Sequence, residues 1–234
     1  MDAMILAAGR GARLKPITDH TPKPLVEVHG YALIELQLLR LRQYGVTNIV
    51  INLAHLGNQI EHRLGNGKQY GVRISYSHEN AGALETAGGI IKALPLLQGN
   101  SFLVVNADIV CDIDYGKLMA SQFNTEQLAC LVMIANPAHH PNGDFTVDHG
   151  GLTEREAATG TKMTFSGVAH YRRIIFENLP SGKQALSPLL HQLIKQEKVA
   201  AYEHHGLWHD VGTPERLTAV REAQDVREYI DSLR

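Results

Sequence analysis

Gly9, Gly11, Arg13 and Lys23 stand close together near the amino terminus, a grouping of residue types that suits a polyphosphate. Glycine at positions 9 and 11, with the small Ala8 and Ala12 beside them, lets backbone N–H groups approach phosphate oxygens with no side chain in between. Lys23 lies between Pro22 and Pro24, which restrict the backbone and lower the entropy cost of aiming the ammonium at one place. Arg10, Arg13 and Lys23 together would neutralise the three phosphates of a nucleoside triphosphate and stabilise departing pyrophosphate. A solvated lysine in a rigid turn is the plainer account of an isolated Pro-Lys-Pro; the loop shared with Arg13 and the glycines favours phosphate. Two other phosphate fingerprints do not fit. A dinucleotide loop wants glycine where Leu14 stands, and a Walker loop wants Gly-Lys-Ser/Thr.

Two aspartates far apart in the chain, Asp108 and Asp210, are candidates for one divalent ion. Asp108 follows an apolar run, where an open α/β sheet collects its ligands, and Asp210 precedes the helix signal Thr213-Pro214. Mg²⁺ typically takes one or two carboxylates and completes its shell with phosphates and water, so two aspartates from separate elements suffice. Each is also an ordinary residue for its setting, a turn-former at a strand end or a helix-approach residue. Without a cation, two such carboxylates would repel each other.

The elements that must position these groups follow from periodicity. Ala3 to Ala8 reads as a buried strand, and Leu33, Leu36, Leu39 and Leu41 mark a helix ending near Tyr44-Gly45. Asn48 to Asn52 is the next strand, giving a βαβ unit; Arg73 to Tyr76, Phe102 to Asn106 and Leu128 to Ile134 supply more. A helix from Thr86 to about Leu94 takes Thr86 as its N-cap. Beyond Pro137, Gly143, Gly150, Gly151 and Gly160 punctuate short strands before Lys162 to Tyr171 rejoins the sheet. Ser187-Pro188 and Thr213-Pro214 each open a helix, the second running to the C-terminus. The expected fold is α/β: a Rossmann-like, mostly parallel sheet flanked by helices, with a small hairpin-rich insertion in the C-terminal half. One domain spans 1–234, with 1–135 mainly binding nucleotide and 136–234 mainly binding the acceptor and supplying the second metal ligand.

Composition narrows the function class. A chain of 234 residues with 44% hydrophobic content buries a sizeable core without disulfides, and Cys111 and Cys130 fit neither a disulfide framework nor a metal spacing. A reduced, cytoplasmic setting is expected. The first apolar run is too short for a signal segment or membrane span. The net charge of −2, from 22 basic and 24 acidic residues, leaves no broad basic face for nucleic acid. The 13 histidines cluster at His139-His140 and at His204-His205 with His209, which raises zinc, but no His-Glu-x-x-His or Cys-rich spacing supports it.

The run Leu6 to Thr18, continued by Pro22-Lys23-Pro24-Leu25, resembles the signature of the sugar-1-phosphate nucleotidyltransferase family. The resemblance spans the chain, because Val105-Asn106-Ala107-Asp108 and Trp208 to Thr213 look like that family's two metal-binding stretches. It implies Mg²⁺-dependent transfer of a nucleotidyl group from a nucleoside triphosphate to a sugar 1-phosphate, with release of pyrophosphate. Leu84 to Gly89, Gly143-Asp144-Phe145, Thr164 to Gly167 and Leu186 to Leu190 resemble the branch that uses UTP and N-acetylmuramate 1-phosphate in cell-wall recycling. The resemblance points to Glu85, Asn106 and Asp144 for the sugar; the base would be read by backbone groups near Leu6-Ala7-Ala8 and by a polar side chain of His78-Glu79-Asn80. Glu79 would accept from uracil N3–H and guanine N1–H alike. Gly88 and Gly89 at a helix start permit either close approach to the nucleotide or tight helix packing. Many relatives grip the sugar with a Glu-Lys-Pro element that is missing where Glu154-Arg155-Glu156-Ala157 stands. Relatives with acetyltransferase activity add a β-helix domain, so only nucleotidyl transfer is expected here. Rival readings are a guanylyl, thymidylyl or cytidylyl transferase and a non-catalytic nucleotide-sugar sensor, the latter disfavoured by Arg13, Lys23, Asp108 and Asp210.

Overall fold

The computed structural model describes residues 1–79, 84–120, 126–154 and 159–233. Asn80 and Arg155-Glu156-Ala157, named above, lie outside the described residues. Strand β1 (Asp2–Leu6) is flanked by parallel partners, with Met4 opposite Val50 on one side and Val104 on the other. It stops at Leu6, short of the expected Ala8, because the amide of Ala7 turns to the Asn52 side-chain oxygen at 2.8 Å. The phosphate-loop candidates follow, and a short hairpin, β2 (Glu27–Val28) and β3 (Tyr31–Ala32), leads into α1 (Leu33–Gln43). Glu35, in the first turn of α1, accepts from the Ala32 amide at 2.8 Å and anchors the helix start.

Strand β4 (Asn48–Leu53) completes the first crossover, and α2 (Gly57–Leu64) with β5 (Arg73–His78) adds a second. Helix α3 (Glu85–Ala93) leads to β6 (Ser101–Asn106), the short β7 (Ile109–Cys111), α4 (Tyr115–Ala120) and β8 (Ala129–Ile134). Thr86 is not the N-cap of α3: Leu84 flanks the helix, Thr86 lies inside the first turn, and no side chain caps that end. A hairpin, β9 (Phe145–Asp148) and β10 (Gly151–Thr153), turns at His149-Gly150 with both φ positive, as a two-residue hairpin turn demands. The long β11 (Thr161–Arg172) and α5 (Ile174–Glu177) follow, then α6 (Leu186–Lys195), β12 (Val199–His204) and β13 (Trp208–Asp210).

Helix α6 begins one residue before Ser187, so Ser187 does not cap it and Pro188 occupies the third helical position. Proline is tolerated there because first-turn amides lack intrahelical partners. Thr213 does cap α7 (Pro214–Glu222), its hydroxyl oxygen accepting from the Arg216 amide at 3.4 Å. The terminal helix is two helices, since extended backbone at Ala223 (ψ 119°) separates α7 from α8 (Gln224–Ser232).

Among the described residues the main sheet has nine strands in the order β5-β4-β1-β6-β11-β8-β12-β10-β9. Its first four strands are parallel; β11 runs antiparallel to β6, β8 and β9, and the β9–β10 hairpin forms the far edge. Helices cover both faces. One core packs Ile34, Leu38 and Leu41 of α1 against Ile5, Ile51 and Val105, and the other packs Ile90 and Leu190 against Met4, Val104 and Leu131. A third core locks α7 and α8 onto α1 through Leu36, Leu217 and Ile230. Cys111 and Cys130 are free and buried, and burial pushes the Cys111 thiol up to about 11. No described helix is long and apolar enough to cross a membrane.

Candidate active site

The carboxyl ends of β1, β4 and β6 open into a cleft with two adjoining cavities. The first, of about 390 Å³, is lined by the backbone from Leu6 to Gly9, by Gly11, Ala12, Arg13 and Lys23, and by Glu79, Glu85, Asn106 and Asp108. Gly11 takes a left-handed conformation (φ 62°), and a Cβ there would meet the Thr18 methyl at 2.9 Å. Its carbonyl accepts from the Leu14 amide and the Thr18 hydroxyl, each at 2.8 Å, which fixes the loop. Around Gly9 there is open space within 4 Å, so packing does not require glycine there and its backbone is free to approach a ligand. Arg10 is exposed and lies outside the cavity walls. Arg13 and Lys23 are the cations that line this cavity.

Lys23, only 12% exposed, bonds directly to Asp108. The two aspartates come together because β13 pairs antiparallel with β7, placing Asp210 opposite Ile109, while the Val211 amide donates to the Asp108 carbonyl at 2.8 Å. Helix α1 supports this ladder, as Gln37 donates to the Ile109 carbonyl at 2.6 Å. Asp108 and Asp210 line one recess with Arg13, Asn106, His139 and Arg216. Arg216, in the first turn of α7, holds both oxygens of Asp210 at 2.7 Å, and His139 reaches Asp210 at 3.2 Å. The expected repulsion between bare carboxylates is therefore answered by one cation apiece. Two hard carboxylates from neighbouring hydrogen-bonded segments, lining a recess with Arg13 beside the loop, fit Mg²⁺. No group of three or more His, Cys, Asp or Glu residues able to hold a metal occurs among the described residues. The histidines disperse: His140 faces Asp144 at 3.1 Å and His204 faces Asp112 at 3.0 Å.

Glu79 is buried, and both its oxygens already accept hydrogen bonds, one from Asn52 and one from the Leu84 amide, each at 2.7 Å. It thereby braces the end of β4 against the start of α3, with one lone pair per oxygen left toward the cavity. A Cβ on Gly89 would meet Glu79 at 2.8 Å, so this glycine serves that brace. Gly88, offered above either to the nucleotide or to helix packing, lines neither of the two adjoining cavities. Its amide donates to the Gln184 carbonyl at 3.1 Å, and a Cβ would sit 2.2 Å from the Gly182 carbonyl; of the two accounts given for Gly88, tight packing holds.

The second cavity, about 290 Å³, lies on the far side of Leu6, Thr86 and Asn106, which line both. Asp144 and Phe145 of the hairpin, Phe165 of β11 and Leu186 and Leu190 of α6 close it. Asp144 is fixed by the Phe165 amide at 2.8 Å. Gly167, at φ 83° within an irregularity of β11, lets Asn106 in: a Cβ there would fall 2.4 Å from the Asn106 amide nitrogen. Glu85 lines the first cavity, in a left-handed conformation (φ 60°), and pairs with Lys183 at 3.3 Å. Sequence reading did not single out Arg216, Asn52 or the contact of His139 with Asp210. Arg216 alone left a signal, three residues beyond the recognised cap Thr213.

Comparison with known proteins identifies the family and the fold. A family model described as nucleotidyl transferase matches residues 2–225. The chain is 50% identical to an N-acetylmuramate alpha-1-phosphate uridylyltransferase from Neisseria meningitidis, over 96% of this chain and 97% of that protein. It is 33% identical to one of the same name from Caulobacter vibrioides, over 93% and 94%. Among solved structures it resembles a putative glucose-1-phosphate thymidylyltransferase from Bacillus anthracis, with a TM-score of 0.81, 21% identity and coverage of 96% and 97%.

Proposed function

Because the chain belongs to the nucleotidyl transferase family, we propose that it moves the uridylyl group of UTP onto N-acetylmuramate 1-phosphate, releasing pyrophosphate. The observation that carries the reading is Asp108 and Asp210 lining one recess with Arg13, next to the Gly9–Arg13 loop. The uridylyl and muramate parts rest on the similarity to the Neisseria protein across nearly the whole chain.

In this reading the first cavity takes the nucleotide and the second the sugar, with Leu6, Thr86 and Asn106 between them. Residues 1–135 supply most of the first; residues 136–234 supply the hairpin, α6 and Asp210. Backbone groups of Ala8, Gly9, Gly11 and Ala12 meet the triphosphate, and Arg13 and Lys23 offset its charge. The acceptor's phosphate oxygen attacks the α-phosphorus; the new O–P bond forms as the bond to the β-phosphate oxygen breaks, and pyrophosphate departs with that electron pair. No general base is needed, since a phosphate monoester is ionised at neutral pH, so positioning and charge carry the rate. Mg²⁺, held by Asp108 and Asp210, would supply charge neutralisation on the phosphates and their alignment. Lys23, bonded to Asp108 in this structure, is placed to exchange that partner for a phosphate. Asn106, Asp144 and Glu85 offer hydrogen bonds to the sugar.

The test is pyrophosphate release across a matrix of UTP, GTP, CTP and dTTP with several sugar 1-phosphates. UTP with N-acetylmuramate 1-phosphate should give the highest kcat/KM. A higher value for GTP with mannose 1-phosphate would overturn the substrate assignment and leave the reaction class standing. Tight nucleotide-sugar binding without pyrophosphate release from any pair would make the chain a sensor.

A further inference from the structure

One polar group at the second cavity has no task in the reaction described above. Tyr171, on β11, lines that cavity yet is only 1% exposed, and its hydroxyl has no hydrogen-bond partner among the described residues. Its ring is fixed edge-on to Phe176 at 5.5 Å between centroids. A buried hydroxyl with no partner is a standing cost to the fold, and a ligand that supplies the partner recovers it. Burial also raises the phenol far above its ordinary range, so it stays protonated and able to donate.

The cavity's chemistry says what kind of partner fits. Phe145, Phe165, Leu186 and Leu190 give it apolar walls, the charged group lining it is Asp144, and none of the described residues lining it is cationic. A carboxylate driven in would lose its water against a like charge with no counter-ion. A neutral acyl group loses far less, and its alkyl end suits the walls.

We propose that Tyr171 is a specificity-determining residue: its hydroxyl donates to the carbonyl oxygen of a 2-acylamino substituent of the acceptor sugar seated in this cavity. The inference rests on the acceptor reading given above and adds an orientation to it. The acylamino group points inward, and the carboxylate of the muramate ether stays in the open cleft.

The experiment compares wild type and Tyr171→Phe on N-acetylmuramate 1-phosphate and on its de-acetylated counterpart with a free amine. Tyr171→Phe should raise KM for the acetylated acceptor about tenfold or more, shrink the preference over the free amine by the same factor, and leave KM for UTP unchanged. Its melting temperature should hold or rise, because an orphan hydroxyl has been removed; a purely structural tyrosine would lower it. Leu190→Phe, which narrows the cavity from α6, should penalise the acetylated acceptor more than the amine. An unchanged acceptor KM in Tyr171→Phe, or equal losses on both acceptors, would overturn the proposal with the muramate reading intact. Wild type preferring an acceptor without an acylamino group would instead overturn both. Preference for a different 2-acylamino sugar phosphate, lost in Tyr171→Phe, would uphold Tyr171 and revise only the sugar.

Discussion

The Val211 amide donates to the carbonyl of Asp108 across 2.8 Å, so the two aspartates, about a hundred positions apart in sequence, share one ladder end. This bond fixes the spacing of the two main chains, and Lys23 and Arg216 hold the two carboxylates in place. Residues that serve one ion in this way are expected to fail together.

Asp108→Asn and Asp210→Asn should each raise the Mg²⁺ concentration for half-maximal activity and cut turnover sharply, while the double variant is scarcely worse than the poorer single one. Mg²⁺-titrated kinetics on all three settle it; independent, multiplicative losses with unchanged Mg²⁺ dependence would count against a shared ion. Without ligand, Asp108→Asn should melt lower than wild type, because Lys23 and Arg216 already answer the two carboxylates and the substitution strands Lys23.

Lys23→Ala should remain folded and lose roughly 10²–10³ in kcat/KM, the scale for one preorganised charge acting on the transition state. Near-normal kinetics would leave Lys23 as a partner of Asp108 with no part in phosphate neutralisation.

Gly88→Ala should cost about 1–3 kcal/mol of stability, since its Cβ would press on the Gly182 carbonyl and backbone cannot yield as a side-chain tip does. Denaturant midpoints measure this. If stability were kept and only UTP binding suffered, Gly88 would belong to the nucleotide site after all.

His170 should make the fold acid-sensitive. Burial lowers its ring from the ordinary 6.5 to about 4, so the folded protein favours the neutral form. That contribution is complete above pH 6.5 and drains away as pH falls toward 4, amounting to about 2 kcal/mol between pH 7 and pH 5. His170→Leu should flatten this part of the stability profile; parallel wild-type and variant curves would acquit the histidine.

Much of this was legible in the sequence for physical reasons. Strands β1, β4 and β6 are short β-rich apolar runs, and α1 repeats leucine at helical spacing; both signals arise from burial on the sheet. Gly9, Gly11, Arg13, Lys23 and the two aspartates each have an ordinary account alone and stood out only through the company they keep; the structure brings them to one cleft. What escaped depends on partners distant in the chain. Asn52 ends β1 early, and no local pattern announces it. Gly88 looks identical in sequence whether it faces a phosphate or the Gly182 carbonyl. Ala223 divides the last helix without a proline or glycine to mark the break. The pairing of β11 with both β6 and β8 fixes the mixed sheet, and strand direction leaves no trace in periodicity.

The thin partition made by Leu6, Thr86 and Asn106 bears on how the enzyme responds to its own output. With the nucleotide in the first cavity and the sugar in the second, as proposed, a nucleotide sugar would occupy both at once. It would then exclude either reactant, and as it accumulates it should compete with the triphosphate and the acceptor alike, which initial rates measured against added product check. On that reading the same wall would give the enzyme a brake set by the concentration of what it makes.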